Sequence, residues 1–254
     1  QVLKNNTKNY LQQDLPGYVF DCFIIPPRAV PKAAEQSKSP PGTPRLRVLV
    51  AGAKRQLVDE LQTAVKNTGM VADHIVPGVI GPVNAFEMAR PEVFSRESVA
   101  LVDIGFKNTT ISLLQEGELT LSRVVGIGGD RLTTGLAESM GISYAEAEGI
   151  KVGMLSEVQS QLESMVLPLG RELRASIDFF EHQYDKAVSQ VFVSGGSSRS
   201  EFIVQTLGAE LMVPCKTWTP VSFLQLSLPP QQMAEIDQVA PQLGVAIGAA
   251  LAAF

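Results

Sequence analysis

From Ser98 to Arg131 the chain reads S-V-A-L-V-D-I-G-F-K-N-T-T-I-S-L-L-Q-E-G-E-L-T-L-S-R-V-V-G-I-G-G-D-R, and its chemical potential lies at the turns. Asp103 and Gly105 close an apolar run, Val99 to Val102, and Asn108, Thr109 and Thr110 open the next. A carboxylate there can hold a hydrated Mg²⁺ through water, because that ion favours carboxylate oxygens and keeps several waters. Gly105 lets backbone come close to a ligand. Successive N–H groups around Asn108 to Thr110 can face an anion. The turn is thus a candidate for phosphate chemistry. It has plainer uses as well: aspartate often satisfies turn amides, and Lys107 is either a phosphate cation or a solvated loop lysine.

Three further places carry the same double reading. Gly195 and Gly196, followed by Ser197, close the apolar run Val191 to Ser194. They either let a flat ligand press on backbone or simply make a tight turn. Gly128 and Gly129 either border an anion or ease entry into a helix. Glu148 and Lys151 lie three apart and share a helical face, where their plainest role is a surface ion pair of little energy. Thr133 reads as structural. Other chemistries find no support. Cys22 and Cys215 make no metal spacing and no disulfide framework, and read as reduced thiols. His74 and His182 stand apart from any ligand pattern. Ser194 to Ser197 does not match the nucleophile elbow G-x-S-x-G.

The elements that must position these residues follow from periodicity. Tyr18 to Ile25 reads as a strand stopped by Pro26-Pro27, and Pro31 to Pro44 as an exposed Pro/Ser/Lys loop. Leu46 to Ala51 reads as a buried strand, Lys54 to Thr68 as a helix striped by Leu57, Leu61, Ala64 and Val65, Val71 to Val76 as another strand, and Val83 to Ala89 as a short helix. A lobe boundary is expected near Glu92 to Ser98. Beyond it come a three-stranded meander and a helix from Gly129 to Met140. Ser143 and Glu146 have capping-box spacing at the start of another helix, and Ser156 and Gln159 repeat it. A long amphipathic helix is expected from Glu157 to Tyr184, with Pro168 as a possible bend. A strand at Val191 to Ser194, a helix at Ser200 to Leu207, an extended Met212 to Trp218 and a closing helix at Pro241 to Ala253 complete the order. It predicts an α/β lobe with a five-stranded mixed sheet flanked by helices.

Composition narrows the function classes. The 254 residues are 45% apolar, ample for one large or two moderate domains, and carry a net charge of −5. No basic cluster marks a nucleic-acid surface. No apolar run approaches the ~20 residues that span a bilayer, so direct membrane insertion is not expected. The chain opens with Gln1 rather than Met, which reads as a fragment or a processed product.

In this order and spacing, V-A-L-V-D-I-G-F-K-N-T-T-I-S-L-L, G-I-G-G-D-R-L-T, A-E-A-E-G-I-K, E-L-R-A-S-I-D-F-F and V-F-V-S-G-G resemble the FtsA/PilM branch of the actin/Hsp70/sugar-kinase superfamily, and PilM-like type IV pilus assembly proteins in particular. V-L-V-A-G-A-K-R-Q-L-V-D-E-L resembles the end of the first lobe in those proteins. The likeness covers roughly residues 46–254.

It implies an actin-like ATPase fold of two ribonuclease-H-like lobes. Residues 1–95 would be the remainder of the first lobe, with the exposed loop 31–44. Residues 96–254 would be the second, with a small helical insertion near 141–156. The first lobe's own meander and phosphate loop are expected upstream of Gln1, so strong ATP hydrolysis is not expected.

By the same likeness, Asp103, Gly105, Lys107, Asn108, Thr109 and Thr110 form the second phosphate loop, with Gly128 and Gly129 beside the phosphates. Gly195, Gly196 and Ser197 form the adenosine loop, and Glu148 and Lys151 approach ribose and base. The implied ligand is ATP or ADP with Mg. The implied work is that of a cytosolic scaffold at the inner membrane, holding the cytoplasmic tail of a PilN-like partner beside other pilus platform or motor proteins, with homo-oligomers as a further option. A sugar-type kinase of the same superfamily and an FtsA-like division or secretion scaffold are the alternatives.

Overall fold

The computed structural model describes residues 13–25, 47–153 and 158–253, together with Lys8 and Leu11. Two compact units divide between Ile75 and Val76. Residues 76–95, placed by the sequence with the first piece, therefore pack with the second unit. The loop 31–44 and the capping serine Ser156 lie outside the described residues.

In the first unit, β1 (Tyr18–Ile25) pairs antiparallel with β2 (Arg47–Lys54), and α1 (Arg55–Asn67) follows directly. The two strands are near-continuous apolar runs, but among the described residues little covers them: Phe23 is 65% exposed, and no residue of α1 is buried. The expectation of a buried strand at Leu46 to Ala51 is corrected here, since Val48 and Leu49 are exposed. The strand expected at Val71 to Val76 is absent, and Val71 is 84% exposed. A short apolar run without a neighbouring strand leaves its N–H groups unpaired and gains nothing from the extended form.

The second unit opens with α2 (Gly81–Ala89) and α3 (Pro91–Arg96), each started by a proline in its first turn. The meander follows as β3 (Ser98–Ile104), β4 (Thr109–Gln115) and β5 (Glu118–Val125). Then come α4 (Gly129–Met140), α5 (Tyr144–Gly153), α6 (Gln159–Tyr184), β6 (Gln190–Ser194), a 3₁₀ turn at Gly196–Arg199, α7 (Glu201–Leu211) and β7 (Cys215–Thr217). The unit closes with α8 (Pro230–Val239), a second 3₁₀ turn at Ala240–Gln242, and α9 (Gly244–Leu251). Sequence periodicity missed α3, where a boundary was expected, and α8, which buries no residue and so has no clean apolar stripe.

The sheet order is β5-β4-β3-β6-β7, with β3, β6 and β7 parallel and the meander antiparallel. This is the five-stranded mixed sheet expected. Alternation along β3 sends Ala100, Val102 and Ile104 to a core shared with Leu162, Val166, Leu169, Leu173, Ile177 and Phe180 of α6. Val99 and Leu101 face the other way, toward Phe86, Phe94, Phe192 and Trp218. Asp103 follows that second set just where the strand ends. Parallel pairing sets it opposite Ser194, the last residue of β6. The carboxyl ends of two central parallel strands thus open side by side, the usual place for a ligand crevice in such sheets.

Candidate functional site

A cleft of about 440 Å³ lies over those strand ends. Of the candidate residues, Asp103, Gly105, Gly129, Glu148, Lys151, Gly195, Gly196 and Ser197 line it. Phe106, Tyr144 and Gln242 line it too, and the sequence pattern had not singled them out. Lys107 and Asn108 are exposed on the turn between β3 and β4 and are not among the lining residues. Thr110 pairs with Asp103 within the ladder. Thr109 is buried and its hydroxyl donates to the Ile127 carbonyl at 2.6 Å, so its side chain ties β4 to the loop before α4.

The glycines are where they are for steric reasons. A Cβ on Gly129 would lie 2.5 Å from Ser197 Oγ, 3.5 Å from Lys151 Nζ and 3.6 Å from the Gly105 carbonyl. One bare position thus faces the strand turn, the β6 turn and α5 together. Gly128 sits behind it, where a Cβ would strike the backbone of Phe106 to Asn108. Gly195 has φ of 87°, a conformation that L side chains rarely adopt, and a Cβ there would overlap the Ile104 backbone. The turn itself is tied to α4: Gly129 N–H donates to the Gly105 carbonyl and Asp130 N–H to the Phe106 carbonyl, both at 2.8 Å. Gly105 N–H in turn donates to the Asn108 carbonyl at 3.0 Å.

Side chains hold the opposite wall. The capping box at Ser143 and Glu146 forms as its spacing predicts, with both residues hydrogen-bonded to each other. That start fixes α5, whose inner face carries Glu148 and Lys151. Lys151 is buried, and its Nζ donates to Glu148 Oε2 at 2.6 Å and to Thr133 Oγ1 at 2.8 Å. The plain reading as a surface pair fails for Lys151, which is only 2% exposed. The Thr133 hydroxyl lies 2.9 Å from the Gly129 carbonyl and 2.5 Å from Glu148 Oε2, and donates to one of them. Its place one helical turn after Gly129 was the only sequence clue to that link.

Two carboxyl groups result, with pKa values shifted in opposite directions. Burial raises the pKa of Asp103 above the ordinary aspartate value, and the hydrogen bond from Ser194 Oγ at 2.9 Å only partly opposes it. Burial also works against ionised Glu148, but the hydrogen bonds from Lys151 and Thr133 and the charges of Lys151 and Arg199 outweigh it and lower its pKa. Partial burial, a hydrogen bond to Asp130 and the nearby acid charges hold the Tyr144 phenol above its ordinary value, with Thr133 pulling the other way. Among the described residues no group of His, Cys, Asp or Glu is arranged to hold a metal directly. Asp103 and Glu148 are the two carboxylates that line the cleft, and Glu148 is engaged by Lys151.

The model of the family described as type IV pilus assembly protein PilM matches residues 35–254. The chain belongs to the PilM family. The fold is actin-like. A solved PilM–PilN type IV pilus biogenesis complex contains a chain of the same fold, with a TM-score of 0.76 and 23% identity over 98% of this chain and 70% of that one. MreB5 of Spiroplasma citri bound to ADP shares the fold at a TM-score of 0.53 and 12% identity, over 78% of this chain and 65% of that one. The cell division protein FtsA of Bacillus subtilis (strain 168) is 32% identical over 103 residues. That match spans 41% of this PilM family chain and only 22% of FtsA. Among the described residues no helix is long and apolar enough to cross a membrane.

Proposed function

We propose that this PilM family chain is a cytoplasmic, actin-like scaffold of the type IV pilus assembly platform. Its second unit binds ATP or ADP, and it holds the cytoplasmic tail of a PilN-like inner-membrane partner. The observation that carries the nucleotide reading is Gly129, bare of side chain where Gly105, Ser197 and Lys151 converge. A cradle that a single methyl group would fill fits a ligand lying along backbone. The ADP bound to MreB5, a protein of the same fold, supports the same ligand class.

The residues present divide the work. Asp103, half-buried and held by Ser194, would hold Mg²⁺ through water, and the cation's charge would favour the ionised carboxylate. Gly105 and Gly129 border the phosphates. Glu148 and Lys151 present an acceptor and a donor side by side to ribose hydroxyls. Gly195 and Gly196 give a flat wall to the base. Lys107, exposed on its turn, adds a cation for the phosphates. The partner reading rests on the family match and on the PilM–PilN complex of the same fold.

Calorimetry tests the nucleotide site. Asp103→Ala should weaken Mg-ATP more than Mg-free ATP; equal weakening of both would mean that Asp103 is structural. Membrane fractionation with and without the PilN-like partner tests the scaffold. The chain should sediment with inner membrane only when the partner is present. Phosphoryl transfer to a sugar without capture by the partner's tail would replace the scaffold reading with a kinase.

A further inference from the structure

We infer that Gln242 selects the base, and that its side-chain amide recognises a 6-aminopurine; this rests on the nucleotide reading of the cleft. The wall of the cleft beneath a base consists of Gly195 and Gly196, and the backbone of Gly195 is already engaged. Gly195 N–H donates to the Pro241 carbonyl at 2.8 Å, and the Gly195 carbonyl accepts from Ser198 Oγ at 2.8 Å. That wall offers a ring a flat surface but no hydrogen bond from Gly195. On the opposite wall Lys151 and Glu148 are joined to each other and to Thr133.

Gln242 differs from both walls. Its amide carbon stands 3.9 Å from where a Cβ of Gly196 would be, so it flanks the edge of the flat surface. Among the described residues nothing hydrogen-bonds the amide. The backbone that carries it is nevertheless fixed, because Pro241 holds Gly195 and Leu243 N–H donates to the Ala240 carbonyl at 3.0 Å. A carboxamide presents one acceptor beside one donor. A 6-aminopurine presents an amino donor beside a ring-nitrogen acceptor, the complement of that pair, and glutamine reads adenine edges in this way elsewhere. Nothing in the local sequence marks Gln242. It reaches the cleft only because the turn before α9 docks on the β6 loop.

The test is a double-substitution cycle by calorimetry on the whole chain. ATP and the triphosphate of purine riboside, which lacks the 6-amino group, are each titrated into the unaltered protein and into Gln242→Leu. Gln242 is exposed, so the substitution should leave the fold intact; urea midpoints check this. Loss of the amino group should weaken binding about tenfold in the unaltered protein and less than twofold in Gln242→Leu. An equal loss in both proteins would overturn the assignment, because another group would then be reading the base. No loss in either would show that the 6-amino group is not read. If the folded, unaltered protein binds neither triphosphate, the nucleotide reading of the cleft falls and takes this one with it.

Discussion

The two walls of the cleft are held by different means. On the strand wall, Asp103, Ser194 and Gly195 sit at paired strand ends, where backbone fixes every position and a single serine hydroxyl serves the carboxylate. On the helix wall, Glu148, Lys151 and Thr133 hold one another through side chains. The strand wall leaves its acid short of compensation, and the helix wall over-compensates its own. A cation should matter for the first and add little to the second. A side chain added to the backbone of the first wall should cost more than a side-chain change on the second.

The largest expected effect is on the strand wall. Gly195→Ala forces a side chain into a left-handed conformation and against the Ile104 backbone. It should destabilise the second unit by about 3 kcal/mol or more, read as a fall in the urea midpoint. A midpoint within error of the unaltered protein would erase the contrast between the walls. Next is Lys151→Met, which keeps the bulk and removes the charge from a buried position. The lost hydrogen bonds should cost about 1–2 kcal/mol, and the Glu148 pKa should rise when followed by carbon-detected NMR. An unchanged Glu148 would mean that Lys151 is not its main partner. Ser143→Ala removes the cap that fixes α5 and should cost about 1 kcal/mol. No change in helicity or midpoint would detach the capping box from the stability of that wall.

The smallest effects concern pH, and they should have opposite signs. Asp103 binds its proton more readily folded than unfolded. It therefore favours the folded state as pH falls toward the ordinary value of 3.8, and that benefit is lost as pH rises through the folded value. Asp103→Asn should raise the urea midpoint at neutral pH. Glu148 releases its proton more readily when folded. Its contribution is present above the ordinary value of 4.5 and is lost as pH falls through the lower folded value. Glu148→Gln should lower the midpoint at neutral pH and flatten its acid limb. Two midpoint shifts of the same sign would show that the two pKa values are not displaced in opposite directions.

Much of the strand wall was legible in the sequence, because local rules make it. Three apolar runs with turn signals between them specify the meander, and Asp103 and Gly105 stand at the turn by chain order alone. The capping box and the stripe of α6 were legible for the same reason. The pairing of Asp103 with Ser194 was not, since it depends on β3 and β6 lying parallel across 91 positions of chain. Burial of Lys151 depends on α5 docking against α4, which i,i+3 spacing with Glu148 cannot reveal. Phe106 and Gln242 line the cleft with no motif to announce them. The strand expected at Val71 to Val76 failed because a strand needs a neighbour, and the sequence shows only the run.

The central claim is that the cleft over β3 and β6 is where a nucleotide sits. Amide NMR of the whole chain during titration with Mg-ADP tests it most directly. The account predicts that the largest shifts fall on Gly105, Gly129, Gly195 and Gly196, and that Gly129→Ala, at the crowded convergence beside Ser197, abolishes them while the remaining spectrum stays that of a folded protein. Saturable shifts confined to other residues, with those four glycines unmoved, would contradict it.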